Sequence, residues 1–420
     1  MMARLLYTLL FFLLTPLIWL RLVWRARKQP DYLRHVGERF GRYTVPPARP
    51  LIWVHAVSVG ETRAAQPLIE ALQRQWPTHR ILLTGMTPTG RDTGAQVYGD
   101  RVIQAYLPYD LPFAVNRFFR HFSPSFGVLM ETEIWPNLLA VAKRQRVPVL
   151  LANARLSARS ARGYQRVATL ARPAFGSLAG VAAQTERDAD RLRELGAAPV
   201  SVCGNLKFDV TPVPALLELG RQWRAALSGR PVWLAASTRE GEESLVLDAW
   251  KDVADSGALL VIVPRHPQRF DEVVTLLTQR GLRVGRRSAG LSTADIDVWL
   301  GDSMGEMVAY YALADLAFIG GSLLPLGGQN LIEAAACGCP VLIGPHTFNF
   351  KQATEDAITA GAALRVADAA ELGQQAKRLL SDVSVREGMR SAAQAFAAAH
   401  RGATQRTLAL IAETTDRAGR

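Results

Sequence analysis

From residue 51 to residue 343 the chain alternates short aliphatic or β-branched runs with longer amphipathic segments, and this alternation constrains its fold more than any other feature. Short apolar runs suit strands buried on both faces. Helical segments between them make the strands parallel, so the pattern predicts α/β sheets with helices on both sides. A first series of candidate strands covers 51–55, 81–84, 126–130, 147–152, 181–184 and 200–203. A second covers 232–235, 259–263, 298–300, 316–319 and 341–343. Between them, residues 209–214 read DVTPVP, with two prolines and no periodicity, which places a hinge there. The expected architecture is two Rossmann-like domains facing across a cleft, 29–209 and 210–420, behind an amino-terminal segment, 1–28.

That segment carries sixteen residues without charge, 5–20, followed by Arg21, Arg25, Arg27 and Lys28. About 20 apolar residues cross a bilayer, so this run is just short, but Arg21 can snorkel and Trp19 and Trp24 suit an interface. No small-residue cleavage site follows it, which favours a retained membrane anchor over a signal peptide. Basic residues after the run orient the downstream domains to the cytoplasm. Of the net charge of +12, residues 1–50 supply +7, nine Lys/Arg against two Asp/Glu. The excess therefore belongs to the anchor region, and with no aromatic-interleaved basic motif elsewhere, nucleic-acid binding is excluded. Three cysteines and no paired Cys-x-x-Cys or His-Glu-x-x-His pattern give neither a disulfide framework nor a metal site. Asp295-Ile296-Asp297 has the Asp-x-Asp form used to hold a metal on a diphosphate, but it precedes a strand where such a motif follows one, so no metal is expected.

In parallel sheets ligands bind beyond the carboxyl ends of the strands, so the polar residues there are the functional candidates. Glu61, in Ser58-Val59-Gly60-Glu61-Thr62, is either a first-turn acid favoured by the helix dipole or a general base. Glu131, in Met130-Glu131-Thr132-Glu133-Ile134-Trp135, follows a buried strand, where an acid caps a helix or faces a ligand. Lys207, in Gly204-Asn205-Leu206-Lys207, is a solvated lysine or a partner for an anion. Arg265, between Pro264 and His266, suits a phosphate. Gly301-Asp302-Ser303-Met304-Gly305-Glu306 and Gly327-Gly328-Gln329-Asn330-Leu331-Ile332-Glu333 bring glycines and backbone N–H groups to helix starts, and their joint occurrence points to a nucleotide.

These strings, with NARLS from Asn153, STREGEE from Ser237 and GPHTFNF from Gly344, resemble the 3-deoxy-D-manno-oct-2-ulosonic acid (Kdo) transferases from the anchor to about residue 400. The resemblance implies a GT-B glycosyltransferase of lipopolysaccharide assembly at the cytoplasmic face of the inner membrane, with CMP-Kdo as donor and the lipid A precursor, lipid IVA, as acceptor. It makes Glu61 the proton acceptor and assigns Glu131 and Lys207 to the transition state. It gives CMP binding to Pro264, Arg265, Met304, Gly305, Glu306, Asn330, Leu331, Ile332 and Glu333. A CMP-sugar leaves with one phosphate, which positioned cations and helix N-termini can stabilise without a metal. Arg239 and Gln329 stand where many relatives carry His. Two rivals are a soluble nucleotide-sugar 2-epimerase of the same architecture and a non-enzymatic nucleotide- or phospholipid-binding scaffold, for which Glu61 would be dispensable.

Overall fold

Each of the apolar runs expected as a strand forms one in the computed structural model, which describes residues 2–27, 29–290 and 296–418. The chain divides into two compact units, Met1–Val210 with Arg401–Arg420, and Thr211–His400. The first holds β1 (Leu51–His55), β2 (Arg80–Gly85), β3 (Val102–Tyr106), β4 (Phe126–Met130), β5 (Val149–Ala154), β6 (Gly180–Ala183) and β7 (Val200–Val202), ordered β3-β2-β1-β4-β5-β6-β7. The second holds β8 (Val232–Thr238), β9 (Leu259–Pro264), β10 (Val284–Arg286), β11 (Val298–Leu300), β12 (Leu316–Ile319), β13 (Val341–Ile343) and β14 (Ala363–Arg365), ordered β10-β11-β9-β8-β12-β13-β14. Every pairing within them is parallel. The strands the periodicity does not pick out are β3, β10 and β14, all at sheet edges and only partly buried, so their sequences lack the continuous apolar run. Strand order reverses between β1 and β4 in one sheet and between β8 and β12 in the other, and a parallel sheet opens its ligand crevice at such a point.

The switch point of the first sheet is built around one large ring. Trp53 of β1 is fully buried and donates its indole N–H to Thr84 Oγ1 at 2.7 Å. Gly127 of β4 lies beside it in register, and a Cβ there would stand 2.4 Å from the indole. Gly127→Ala is therefore expected to lower the stability of this unit by about 1–3 kcal/mol, through overpacking, in urea unfolding.

The last helix corrects the expected domain boundary. Residues 401–420 belong to the first unit, although the sequence assigns everything from 210 onward to the second. Asp209 caps the helix Ala403–Ala418 by accepting the N–H groups of Gly402, at 2.7 Å, and Thr404. Arg406 donates to the Cys203 carbonyl at 2.9 Å, and Leu410 and Ile411 join the core formed by Ile52, Val128 and Leu150.

The amino-terminal helix α1 (Met2–Ala26) is long and apolar enough to cross a membrane. One face packs along the first unit: Tyr7, Phe11, Thr15, Ile18 and Leu22 recur at helical spacing and are at least partly covered. Leu22 is buried with Tyr109, Leu111 and Ala114, and Phe11 and Ile18 pack against them. Nearer its start, Thr8 is hydrogen-bonded to the Asn137 side chain at 3.0 Å. Asp110 completes this seam by accepting the N–H groups of Asn137 at 2.9 Å and Leu138 at 2.7 Å, at the start of the helix Pro136–Arg144. The other face of α1 exposes Leu6, Leu9, Leu13, Leu17, Leu20 and Trp24.

Candidate active site

In the first unit three carboxylates gather at the carboxyl ends of β1 and β4. After β1 the chain turns into α2 (Val59–Ala64), capped by the Ser58 hydroxyl, which accepts the Glu61 N–H at 3.4 Å. Glu61 reaches back: one carboxylate oxygen accepts the Val57 N–H at 2.8 Å and the other the Ser58 hydroxyl at 3.0 Å. This is a variant of the capping box in which the acid takes the N–H one residue before the cap, so it has a structural role in holding its own turn. Burial, opposed by those hydrogen bonds but reinforced by the charges of Glu131 and Glu133, pushes its pKa up to about 7. A carboxylate with that value can accept a proton near neutral pH.

Glu131 follows β4 in the left-handed region, φ 58°, a strained conformation for a residue with a side chain. Its carboxylate lies 3.5 Å from Lys207 Nζ, and both side chains are about a quarter exposed, 27% and 22%. Lys207 stands on a short turn, Leu206–Asp209, whose start is capped by the Asn205 side chain. Asn153 of β5 is also left-handed, φ 53°, and its side-chain oxygen accepts the Leu206 N–H at 3.0 Å, tying the lysine turn to the sheet. Glu133 accepts the Trp135 indole N–H at 3.0 Å, and burial raises its pKa. The structure thus brings Glu61, Glu131 and Lys207 together. Asn153 as the support of that lysine turn is not visible in the sequence, because the contact spans 53 residues.

The second unit gathers cations and glycines at the ends of β8, β9 and β12. Arg265 follows β9, with its N–H bound to the Thr238 carbonyl at 2.9 Å. Burial and the positive charges of Arg239, Arg265 and Arg269 lower the pKa of His266, which marks a concentrated positive field. Arg269 is partly neutralised by Glu243 at 2.6 Å. Gly320 follows β12 so closely against β8 that a Cβ would meet the Ser237 carbonyl at 2.5 Å, and only glycine allows that approach. Glu242, fully buried, accepts the N–H groups of Arg239 at 3.0 Å, Leu323 at 3.1 Å and Gly321, locking together the loops that follow the two strands. It lies in the STREGEE string, but its role as a clamp depends on a loop about eighty residues away.

The remaining nucleotide candidates fall into two loops of this unit. Met304 is exposed, Gly305 has φ 82°, and Glu306 is gripped by both Nε and Nη2 of Arg287 at 3.1 and 3.0 Å. Asn330 accepts the Ile332 N–H at 3.1 Å and donates to Glu333 at 3.2 Å, while Leu331 and Ile332 are buried. Of the Asp-x-Asp string, Asp295 lies outside the described residues. Asp297 is clamped by the Arg283 guanidinium at 2.7 Å, which helps hold its pKa below the ordinary value. Among the described residues no three His, Cys, Asp or Glu side chains form a group able to hold a metal ion.

Two parallel seven-stranded sheets in one chain, each with charged residues collected where strand order reverses, make up a fold of the GT-B type. A glycosyltransferase from Rickettsia africae shares the fold, with a TM-score of 0.60 over 87% of this chain and 98% of that one at 14% identity. A sequence profile of the 3-deoxy-D-manno-octulosonic-acid transferases (kdotransferases) matches residues 34–210. The 3-deoxy-D-manno-octulosonic acid transferase of Bordetella pertussis is 48% identical across 97% of this chain and 98% of its own length. That of Haemophilus influenzae is 37% identical across 98% of each. The chain belongs to the Kdo transferase family and is a glycosyltransferase, which sets aside the epimerase and scaffold readings.

Proposed function

We propose that this enzyme transfers Kdo from CMP-Kdo to the 6′-hydroxyl of lipid IVA with inversion at the anomeric carbon, releasing CMP, and that it needs no metal. The observation that carries this reading is Glu61, a carboxylate held in place by two hydrogen bonds yet raised to a pKa of about 7. It takes the proton of the acceptor hydroxyl as that oxygen forms its bond to the anomeric carbon. The bond from that carbon to the CMP phosphate oxygen breaks, and the electron pair leaves with CMP. Lys207, aimed by Glu131, stabilises the negative charge that develops, so that a pair of side chains serves where a diphosphate donor would call for a divalent cation.

The donor is assigned to the second unit. Arg265 takes the phosphate, with the positive field around Arg239 beside it. Pro264, Met304, Gly305 and Glu306 line one side of CMP and Asn330, Leu331 and Ile332 the other, with Glu333 placed to accept from ribose hydroxyls. The acceptor is assigned to the first unit. There the uncovered apolar face of α1 and the arginines after it suit the anionic cytoplasmic face of the inner membrane.

The test is transfer by purified protein in detergent, from CMP-Kdo to lipid IVA, with excess chelator present. The expected result is a product heavier by Kdo, with CMP released in equal amount. Absence of transfer would refute this acceptor and donor pair, and transfer abolished by chelator would refute the metal-free mechanism.

A further inference from the structure

Beside the carboxylates of the first unit runs an apolar groove of about 320 Å³ that the chemistry of the transfer step does not use. Its walls include Tyr7 of α1, Ile134 and Trp135 from the loop after Glu131, and Tyr164, Val167 and Leu170 from the helical segments 158–175. Two of the polar groups of these walls are taken up by partners: the Trp135 indole is bound to Glu133, and the Tyr7 hydroxyl to Asp110. Apart from Thr132 and the Glu133 carboxylate, the lining is mostly hydrocarbon and aromatic.

We propose that this groove seats one acyl chain of the glycolipid acceptor, an inference that rests on the acceptor reading above. Three observations choose this occupant. Glu133 lines the groove and follows β4 in the same cluster of carboxylates as Glu61, close enough to repel its negative charge, so the groove lies near the base that must reach the acceptor's hydroxyl. One wall is α1, whose opposite face is exposed leucine, so the groove adjoins the surface through which a membrane lipid would arrive. Its lining of Ile134, Trp135, Val167 and Leu170 suits a hydrocarbon chain better than a sugar, and its volume leaves room for one chain and not several. The groove thereby measures chain length: α1 is a wall of the acceptor site as well as an anchor.

The experiment compares kcat/KM for lipid IVA with that for an analogue whose acyl chains are shortened by several methylenes, both in the same detergent. Each buried methylene contributes severalfold, so the wild type should prefer the long-chain acceptor by at least about tenfold. Leu170→Trp, which fills the groove, should bring that preference below about threefold, mainly through KM for the long-chain acceptor. Val383→Trp, at an exposed position in the other unit, should keep the wild-type preference. A photoreactive diazirine at the end of an acceptor chain should label peptide 164–171 or Trp135. The groove is refuted if Leu170→Trp keeps the preference, if it lowers both acceptors equally, or if the label falls elsewhere. A wild type that transfers to neither acceptor refutes the acceptor reading, and this occupant with it, whereas a wild type that uses both equally refutes the groove alone.

Discussion

Glu61→Gln is expected to lower kcat by about 10²–10⁴ while leaving CMP-Kdo binding intact. Glutamine is nearly the same shape and can keep both cap contacts, accepting the Val57 N–H and bonding Ser58, so α2 should remain in place. What it cannot do is accept a proton. In the wild type, kcat/KM should rise with pH and level off above about 7, where Glu61 is ionised, and the residual activity of the variant should lack that rise. Stability should move the opposite way. Glu61 holds its proton more tightly folded than unfolded, so its contribution is full below the ordinary glutamate value and is lost as pH rises through about 7. Urea unfolding at pH 8 should therefore show the variant no less stable than the wild type, with any advantage vanishing near pH 4. An active variant would move the base to another residue. An inactive variant that has also lost stability would show that the carboxylate acts only as a cap.

Lys207→Ala is expected to lower kcat by about 10²–10³, the loss seen when one preorganised charge-stabilising donor is removed. The substitution also removes the ammonium 3.5 Å from Glu131, so the negative charge that already opposes ionisation of Glu61 is no longer offset, and the activity profile should shift to higher pH. Lys207→Arg keeps the charge on a longer, planar group and should recover part of the rate. Steady-state kinetics with CMP-Kdo varied separate the outcomes. A fall in kcat with donor KM within threefold supports transition-state stabilisation, whereas a rise in donor KM alone would make Lys207 a ground-state contact with the donor.

The strands that build the two switch points were legible because they are central: β1, β4, β8 and β12 are apolar through nearly every residue and bounded by polar turns. The edge strands β3, β10 and β14 were not, since half-covered strands of three to five residues carry no distinctive period. Glu61, Glu131 and Lys207 were marked by their positions just after strands, but the sequence could not show that Glu61 and Glu131 share one field. Nor could it show that Glu306 is committed to Arg287, or that Asn153 and Glu242 hold distant loops, because those contacts are set by the tertiary fold. The amino-terminal run announces apolarity on every side. Which side is covered depends on Tyr109, Leu111 and Asn137, more than eighty residues away.

The return of residues 401–418 to the first unit has a consequence for the order in which the protein is made. The unit Thr211–His400 is continuous, so its sheet can form while the remainder is still being translated. The first unit starts earlier and finishes later: Asp209, the Cys203 carbonyl and the face of the core around Ile52 wait for the Ala403–Ala418 helix to leave the ribosome. On a nascent chain the sheet of the half proposed to bind the donor can therefore close while the half that carries the proposed base is still open.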